Sequence, residues 1–235
     1  MTSGATPLGY SAWRASRLGE ITERLERAAI RELTGPLALL EVLDVGTGDA
    51  AHAVALAREG ARVTGIDTSL PALHAGLVRS RAAGARVPLV AGDASGLPFR
   101  TGTFDVAIAV TVLCFTPAPS QVVAEMARVV RPGGRVVLGE LGRWSAWAAW
   151  RRVRGWLGAP TWRNARFWTA AELQGLAASA GLVPGSVRGA IFYPPFGLAA
   201  AATASLDPVL GRGKTIGGAF LALVATKPAV SPTPP

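Results

Sequence analysis

One stretch of the sequence, EVLDVGTGDAAHAVALAREGARVTGIDTS at residues 41–69, constrains the fold more than any other. Two apolar runs, Glu41–Val45 and Arg62–Ile66, flank a glycine-containing loop and an alanine-rich segment that is predicted as a helix over 49–58. Apolar strands that alternate with helices are typical of parallel β-α-β units, in which helices cover both faces of the sheet. The stretch therefore predicts an α/β fold that binds its ligand beyond the carboxyl end of the first strand.

The same alternation continues along most of the chain. Further strands are predicted at 87–91, 104–110 and 135–138, and further helices at 69–82, 119–130 and 169–180, the last with Thr169 and Glu172 placed as a capping box. Two final strands, at 185–192 and 218–225, are expected to pair as a hairpin at the sheet edge. The predicted fold class is α/β, a Rossmann-like doubly wound seven-stranded sheet, mostly parallel with an antiparallel edge strand.

A single domain is predicted at 1–228, and three segments stand outside the alternation of strands and helices. Two of these segments lie within the domain, and the third is the tail that follows it. An amphipathic helix over 11–33 belongs to a predicted N-terminal helical cap at 8–35. Residues 142–168 carry six of the seven tryptophans together with six arginines, which indicates an insertion that acts as a lid. The tail at 229–235 lacks core-forming residues and is expected to be disordered.

The formal net charge of +9 is compatible with binding to nucleic acid or to an anionic membrane. The basic residues are 22 arginines and 2 lysines in a chain rich in alanine, glycine and proline. This composition favours genomic codon bias, and not a binding function, as the origin of the positive charge. The single cysteine, Cys114, excludes an internal disulfide and a multi-cysteine metal cluster. Without a signal-peptide pattern or an apolar run long enough to cross a bilayer, the protein is expected to be cytoplasmic.

The loop after the first strand reads DVGTGDA, and its glycines allow the backbone to approach a ligand closely. A Gly-x-Gly loop alone is a weak signal, because nicotinamide cofactors use it too. Asp44, two places before Gly46, discriminates between the ligands. A buried carboxylate would repel a pyrophosphate, whereas it suits the ammonium and sulfonium groups of S-adenosylmethionine. The alternative is that Asp44 only caps the turn.

Two more carboxylates follow later strands. Asp67, at the end of the second strand, is placed to accept hydrogen bonds from the ribose hydroxyls of either kind of adenosine cofactor. Asp93 lies in AGDASGLPF, where it is placed to accept a hydrogen bond from an adenine amino group beside an apolar Leu-Pro-Phe. These positions predict an adenosine ligand.

The motifs LDVGTGD, GID, GDASGLPF, FDVAIA and RPGGRVVL form an ordered series, and the resemblance that they carry covers roughly residues 8–228. The series resembles the class I S-adenosylmethionine-dependent methyltransferases, particularly the small bacterial group that includes ubiquinone- and menaquinone-biosynthesis-like enzymes. The N-terminal LGYSAWRASRLGEITERLERAAI is similar to the cap of that group. The sequence departs from the family pattern at Asp49-Ala50, where a third glycine is usual.

The resemblance implies S-adenosyl-L-methionine as the cofactor. It implies that the first loop contacts the methionine moiety, that the acidic residue after the second strand binds the ribose, and that the N-terminal tyrosine folds over the cofactor. The implied cofactor-binding residues are Tyr10, Asp44, Gly46, Thr47, Gly48, Asp67, Thr68, Asp93, Ala94 and Thr111. No catalytic residue and no metal ligand is assigned.

The acceptor side is less defined, because methyl transfer to a good nucleophile needs mainly in-line approach and exclusion of water. Cys114, Phe115 and Glu140 follow the fourth and fifth strands and are candidates for lining the acceptor pocket. Cys114 is interpreted as a small buried hydrophobic residue, and His52 and His74 as ordinary helix residues. A small, apolar or aromatic molecule is the predicted acceptor.

Trp144, Trp147 and Trp150 recur every three residues, which predicts a stripe along one side of a helix. Three interpretations stay open for this stripe and its neighbouring arginines. It packs a cap onto the sheet, lines a pocket for a flat apolar or anionic acceptor, or makes a peripheral membrane contact. Packing is the favoured interpretation.

A nucleic-acid substrate is disfavoured. DNA amino-methyltransferases, which resemble this fold, carry Asp or Asn followed by Pro-Pro and an aromatic residue after the fourth strand, where this chain has TVLCF. FYPPF at 192–196 is interpreted as a turn that rigidifies the edge hairpin. The alternatives to a methyltransferase with a small-molecule acceptor are an NAD(P)-dependent oxidoreductase and a non-catalytic cofactor-binding or membrane-associated protein of the same fold.

Overall fold

Seven strands form one sheet in the computed structural model, which describes residues 16–195 and 204–229. The strands are β1 (Glu41–Val45), β2 (Arg62–Asp67), β3 (Leu89–Ala91), β4 (Phe104–Val110), β5 (Val130–Leu141), β6 (Val183–Ala190) and β7 (Phe220–Thr226). Their order is β3-β2-β1-β4-β5-β7-β6, and β7 runs antiparallel to both of its neighbours. The predicted mostly parallel seven-stranded sheet is confirmed, with the hairpin of β6 and β7 forming one edge.

Helices lie on both faces of this sheet. They are α1 (Arg17–Thr34), α2 (Ala51–Arg58), α3 (Leu70–Ala82), α4 (Pro119–Val129), α5 (Ala146–Trp156), α6 (Pro160–Arg163), α7 (Ala170–Ser179) and α8 (Asp207–Leu210), with a 3₁₀ turn at Ala204–Leu206. Within the described ranges, none of them has both the length and the apolar composition that a membrane crossing requires.

Successive side chains of the central strands pack into two separate hydrophobic cores, one on each face of the sheet. In β1, Val42 packs into the cluster that includes Ile30 of α1 and Val54 of α2, whereas Leu43 packs into the cluster of Met126 from α4. This alternation follows from the pleat of a strand, which points successive side chains to opposite faces. The central strands read as continuous apolar runs because both of their faces are buried.

The strand order reverses between β1 and β4, which pair with each other in parallel. The chain leaves β1 toward α2 on one face and leaves β4 toward α4 on the other face. A crevice at the carboxyl ends of the strands follows from this divergence, and it is the position where doubly wound sheets bind ligands.

Most predicted boundaries agree with the structure, and the differences have local causes. Helix α2 begins at Ala51 and not at Asp49, because Ala50 has a left-handed backbone conformation. Strand β3 begins at Leu89 and not at residue 87, whereas β5 extends from Val130 to Leu141 beyond the predicted 135–138. The predicted capping box is present, since the Thr169 hydroxyl and the Glu172 carboxylate each accept from the other residue's backbone N–H.

Helix α1 begins after Ser16, whose side chain accepts a hydrogen bond from the Gly19 N–H. The part of the predicted cap that precedes Ser16, including Tyr10, lies outside the described residues, as do the tail from residue 230 and the end of the FYPPF turn. Buried Thr22 joins α1 to the segment after β6 through a hydrogen bond of 3.0 Å to the hydroxyl of Tyr193. The N-terminal helix is thereby anchored to the far edge of the sheet.

Candidate functional site

The loop after β1 has the backbone conformation that close approach to a ligand requires. Gly46 and Gly48 have φ angles of +68° and +55°, in the left-handed region that glycine adopts without a steric penalty. A Cβ on Gly46 would collide with the side chain of Val112, whereas a Cβ on Gly48 would have no atom within 4 Å. The backbone at Gly48 therefore borders an open space, and Gly46 is needed for packing against the loop after β4.

Ala50 occupies the position where the resembling family usually has a third glycine. Its φ of +57° is left-handed, and its side chain is completely buried. A Cβ built on Gly76 of α3 would lie 3.0 Å from the Ala50 Cβ, so the absence of a side chain at Gly76 makes room for the methyl group. The departure from the family pattern is accommodated by a glycine on the adjacent helix.

Asp44 lies under this loop with its carboxylate buried. One oxygen accepts a hydrogen bond of 2.7 Å from the Thr47 hydroxyl, and the other lies 3.4 Å from Nδ1 of His52. Asp44 thus supports the turn and also places negative charge directly beneath the glycines. The sequence interpretation of His52 as an ordinary helix residue missed this contact, which its position one turn after the glycines could have suggested.

Asp67 joins the first two loops of the site. Its Oδ2 accepts from the Gly48 N–H and its Oδ1 from the Ser69 N–H, both at 2.8 Å. Because Ser69 caps the start of α3, one carboxylate fixes both the glycine loop and the beginning of that helix. Each oxygen keeps a second lone pair for a ligand hydroxyl. Thr68, beside it, is exposed.

Asp93 and Ala94 begin the loop after β3. The exposed carboxylate of Asp93 accepts from the N–H and the hydroxyl of Ser95, both at 2.7 Å, and these hydrogen bonds hold the pKa of that carboxyl below its usual value. Arg128 of α4 donates to the carbonyl oxygen of Leu97, which fixes the apolar part of the loop. Asp93 is therefore a charged acceptor at the third strand end.

Thr111 follows β4 in a strained conformation. Its φ is +53°, which is unfavourable for a β-branched residue, and its N–H donates to the carbonyl of Gly139 in β5 at 2.7 Å. The strain lies directly before Val112, whose side chain packs against Gly46. The ends of β1, β4 and β5 are consequently coupled at this position.

Glu140 is completely buried at the end of β5. Its carboxylate accepts from the backbone N–H groups of Val112, Leu113 and Cys114 at 3.0, 2.7 and 3.1 Å. Desolvation raises the pKa of Glu140 to about 7, and burial also raises the pKa of the neighbouring Cys114 thiol. The expectation that Glu140 lines the acceptor pocket is wrong, because these backbone groups occupy its carboxylate.

The tryptophan stripe predicted over 144–150 is not present as one face of a helix. Trp144 precedes α5 and is 61% exposed, whereas Trp147 is buried and donates from Nε1 to the Tyr193 carbonyl at 2.9 Å. Trp150 is on the exposed side of α5. The predicted spacing was right, but the helix begins at Ala146, so only Trp147 makes the predicted packing contact.

Arginine and aromatic side chains interleave beside the end of β4. The Arg151 guanidinium is buried between the rings of Trp147 and Trp162, at 5.0 and 4.8 Å from their centroids. The Trp162 ring lies 6.2 Å from the ring of Phe115, which is 48% exposed. These residues give the carboxyl ends of β4 and β5 an aromatic border.

Two shallow depressions, of about 250 and 220 Å³, lie around Trp168. Trp168 lines both of them, and Arg166 and Glu172 line the larger one. The glycine loop lines neither of these two depressions. The convergence of the strand ends, and not the depth of a cavity, therefore identifies the cofactor region.

Comparison with known proteins identifies the family. Residues 43–138 match the family model described as a methyltransferase domain. A ubiquinone biosynthesis O-methyltransferase of Ralstonia nicotianae is 37% identical over 168 residues, which are 68% of this chain and 70% of that protein. An uncharacterized protein of Mycobacterium tuberculosis is 33% identical over 193 residues, 82% of this chain. The chain spans 64% of the length of that mycobacterial relative.

Solved structures share the fold. A S-adenosylmethionine-dependent methyltransferase of Thermotoga maritima has a TM-score of 0.72 at 23% identity and covers 94% of this chain and 96% of its own. A phosphoethanolamine N-methyltransferase of Haemonchus contortus has a TM-score of 0.68 at 17% identity and covers 95% of this chain and 58% of its own. The chain belongs to the class I S-adenosylmethionine-dependent methyltransferases. S-adenosylmethionine is the cofactor of this family, and the open space at Gly48 above the buried Asp44 fits it.

The two loop glycines are expected to respond differently to alanine. Gly46→Ala should lower the free energy of unfolding by about 2–5 kcal/mol, because it adds an overlap with Val112 to a left-handed backbone. Gly48→Ala should cost only about 1–2 kcal/mol, since the space above it is open. Urea denaturation measures both changes. Equal losses in the two variants would contradict the packing role assigned to Gly46.

Glu140 is expected to make stability depend on pH. Because its pKa is about 7 in the folded protein and 4.5 is its ordinary value, its favourable contribution is complete below pH 4.5 and is lost as the pH rises through 7. The wild type should therefore lose about 1–3 kcal/mol relative to Glu140→Gln between pH 5 and 8. Urea denaturation at several pH values tests this, and parallel curves for the two proteins would exclude it.

Proposed function

We propose that this protein transfers a methyl group from S-adenosylmethionine to a small, apolar aromatic acceptor. The acceptor class rests on one observation, the half-exposed ring of Phe115 beside Trp162 at the end of β4. The nearest buried carboxylate, that of Glu140, is occupied by backbone N–H groups. An aromatic border beside a carboxylate that is already bonded to backbone groups favours a flat aromatic molecule over a cationic one.

In this proposal, the loops after β1 and β2 hold the cofactor. Asp44 attracts the positive charges of its methionine end, and the backbone of Gly46–Gly48 borders that end. Asp67 accepts hydrogen bonds from the ribose hydroxyls, and its bonds to the Gly48 and Ser69 N–H groups fix it for this task. The conformation of the loop is thereby set before the ligand arrives, which lowers the entropic cost of binding.

Asp93 and Ala94 receive the adenine in the same proposal. The hydrogen bonds from Ser95 hold Asp93 in its ionised form, in which it can accept a hydrogen bond from the adenine amino group. Thr111 borders the opposite side of the crevice at the end of β4. Tyr10 keeps the role that the family resemblance implies.

The cofactor supplies a methyl group on a sulfonium, which is electrophilic without further activation. The chain then has to place the acceptor atom in line with that methyl group and to exclude water. Phe115 and Trp162 stack against the acceptor, and the segment 142–168 covers it as a lid within a single domain over 1–228. No residue is assigned as a general base.

Relatives support the proposed acceptor class. The Ralstonia nicotianae relative is named as a ubiquinone biosynthesis O-methyltransferase. A protein of Mycolicibacterium gilvum that is 42% identical over 118 residues, half of this chain, is named as a demethylmenaquinone methyltransferase. Both names refer to rings of the quinone type. Methyl transfer to a panel of phenols and reduced quinones, compared with small aliphatic amines, tests the proposal, and transfer to the amines alone would overturn it.

Asp67→Ala is expected to weaken binding of S-adenosylhomocysteine by at least about tenfold, because hydrogen bonds to a charged acceptor are lost. Isothermal titration calorimetry measures the affinity. Glu41→Ala is the control. It removes a carboxylate at the start of β1, at the other end of the strand from the glycine loop, and should bind like the wild type. Unchanged affinity in Asp67→Ala would contradict the assigned ribose contact.

Phe115→Ala is expected to raise the KM for an aromatic acceptor about tenfold, because an aromatic contact and its buried area are lost. The affinity for S-adenosylhomocysteine should stay unchanged, since Phe115 lies on the acceptor side. Steady-state kinetics and calorimetry on the same variant separate the two effects. A loss of cofactor affinity without a change in the KM for the acceptor would contradict the assignment of Phe115 to the acceptor side.

A further inference from the structure

Helix α5 is oriented opposite to the usual arrangement of a surface helix. Its buried side contains Arg151, together with Trp147, Ala148 and Gly155. Its exposed side has an apolar row over the whole helix and the residue after it, with the exposed Arg154 beside the row, whose members are Ala146, Ala149, Trp150, Val153, Trp156 and Leu157. At 100° per residue, these six positions fall within an arc of about 120°. A charged residue is thus inside and an apolar stripe faces outward.

The end of this stripe is the most exposed. Trp156 and Leu157 are 83% and 81% exposed, although both side chains are among those that proteins usually bury. Val153, one turn before them, and Trp150, two turns before them, are also exposed. Single exposed apolar residues are common, but a contiguous row along one helix indicates a contact surface.

Arginines border the stripe on both sides. On the helical wheel, Arg152 and Arg154 each lie about 40° beyond the two limits of the apolar arc. The guanidinium of Arg154 lies 4.9 Å from the centroid of the Trp150 ring, so the charge sits at the rim of the stripe. The whole segment 142–168 contains six arginines and no aspartate or glutamate. The Arg152 guanidinium lies 4.8 Å from the ring centroid of buried Phe167, so the exposed positive margin of the stripe is the one that Arg154 forms.

This pattern matches the interface of an anionic bilayer. Tryptophan, leucine and valine side chains enter the boundary between headgroups and acyl chains, and an arginine at the margin pairs with lipid phosphates. A single stripe of one helix offers far less than the roughly 800 Å² per partner that a stable protein–protein interface buries. A bilayer does not require a contact area of this size, because its fluid surface deforms around a convex helix.

We infer that the exposed face of α5 docks the protein on anionic lipid headgroups. The helix lies parallel to the bilayer surface, with Trp156 and Leu157 inserted below the phosphates. Arg154 contacts the phosphates at the exposed margin of the stripe. This docking does not depend on the proposed methyl transfer, since it requires neither cofactor nor acceptor.

Vesicle sedimentation tests the inference with the full chain, in the absence of S-adenosylmethionine and of any acceptor. At low ionic strength, the protein should sediment with vesicles of phosphatidylcholine and phosphatidylglycerol and much less with phosphatidylcholine alone. Trp156→Glu should reduce the partition coefficient by about tenfold or more, because it places a charge where an aromatic ring is inserted.

Leu39→Glu is the matched control. Leu39 is 73% exposed and precedes β1, whereas α5 follows the carboxyl end of β5, and its replacement changes the net charge by the same amount. It should partition like the wild type, and circular dichroism should show both variants folded. Equal reductions in the two variants would mean attraction by net charge alone, and would overturn the inference.

Two other results would also overturn it. One is the absence of wild-type binding to the anionic vesicles at low ionic strength. The other is a concentration-dependent dimer that Trp156→Glu abolishes without any vesicle binding, which would assign the stripe to a second copy of this chain. Methyl-transfer activity of both variants on a water-dissolved acceptor is measured separately, so failure of the docking and failure of the proposed function stay distinguishable.

Discussion

The arrangement of the carboxyl edge depends on the buried carboxylate of Glu140. Burial disfavours this charge, and the three backbone N–H groups that it accepts offset part of that penalty and fix the turn after β4. The turn places Val112 against Gly46 and directs the Cys114 carbonyl to the N–H of Arg166. A single side chain thereby connects the glycine loop, the end of β4 and the tryptophan-rich segment.

Two of the four non-glycine residues that have positive φ angles in the described part of the chain border the same crevice. Ala50 and Thr111 both have positive φ angles, and they lie at the ends of the two strands where the sheet order reverses. Hydrogen bonds from the rest of the fold hold them, such as that from the Thr111 N–H to the Gly139 carbonyl. The folded sheet therefore sustains a loop geometry that an isolated segment would not keep.

The sequence allowed the prediction of the sheet and of which strand ends meet, because the apolar period and the glycine loop determine both. It identified Asp44 and Asp67 as neighbours of the loop for the same reason. It failed where side-chain direction depends on tertiary contacts: Glu140 is turned toward backbone groups, and Trp147 is buried whereas Trp150, whose ring packs edge-on against it, stays partly exposed. A buried arginine such as Arg151 also has no sequence signal, since aromatic rings from two helices create its environment.

Ala50 and Gly76 share one small volume between the glycine loop and α3. A side chain at the second position would crowd the methyl group at the first at 3.0 Å, and it would also meet Leu89 and the Asp49 backbone at 3.0 and 3.2 Å. In homologous chains, these two sites should covary, with glycine at position 50 accompanied by alanine or serine at position 76. The exchange would conserve the total side-chain volume. The left-handed conformation at position 50 would then belong to glycine, which adopts it freely.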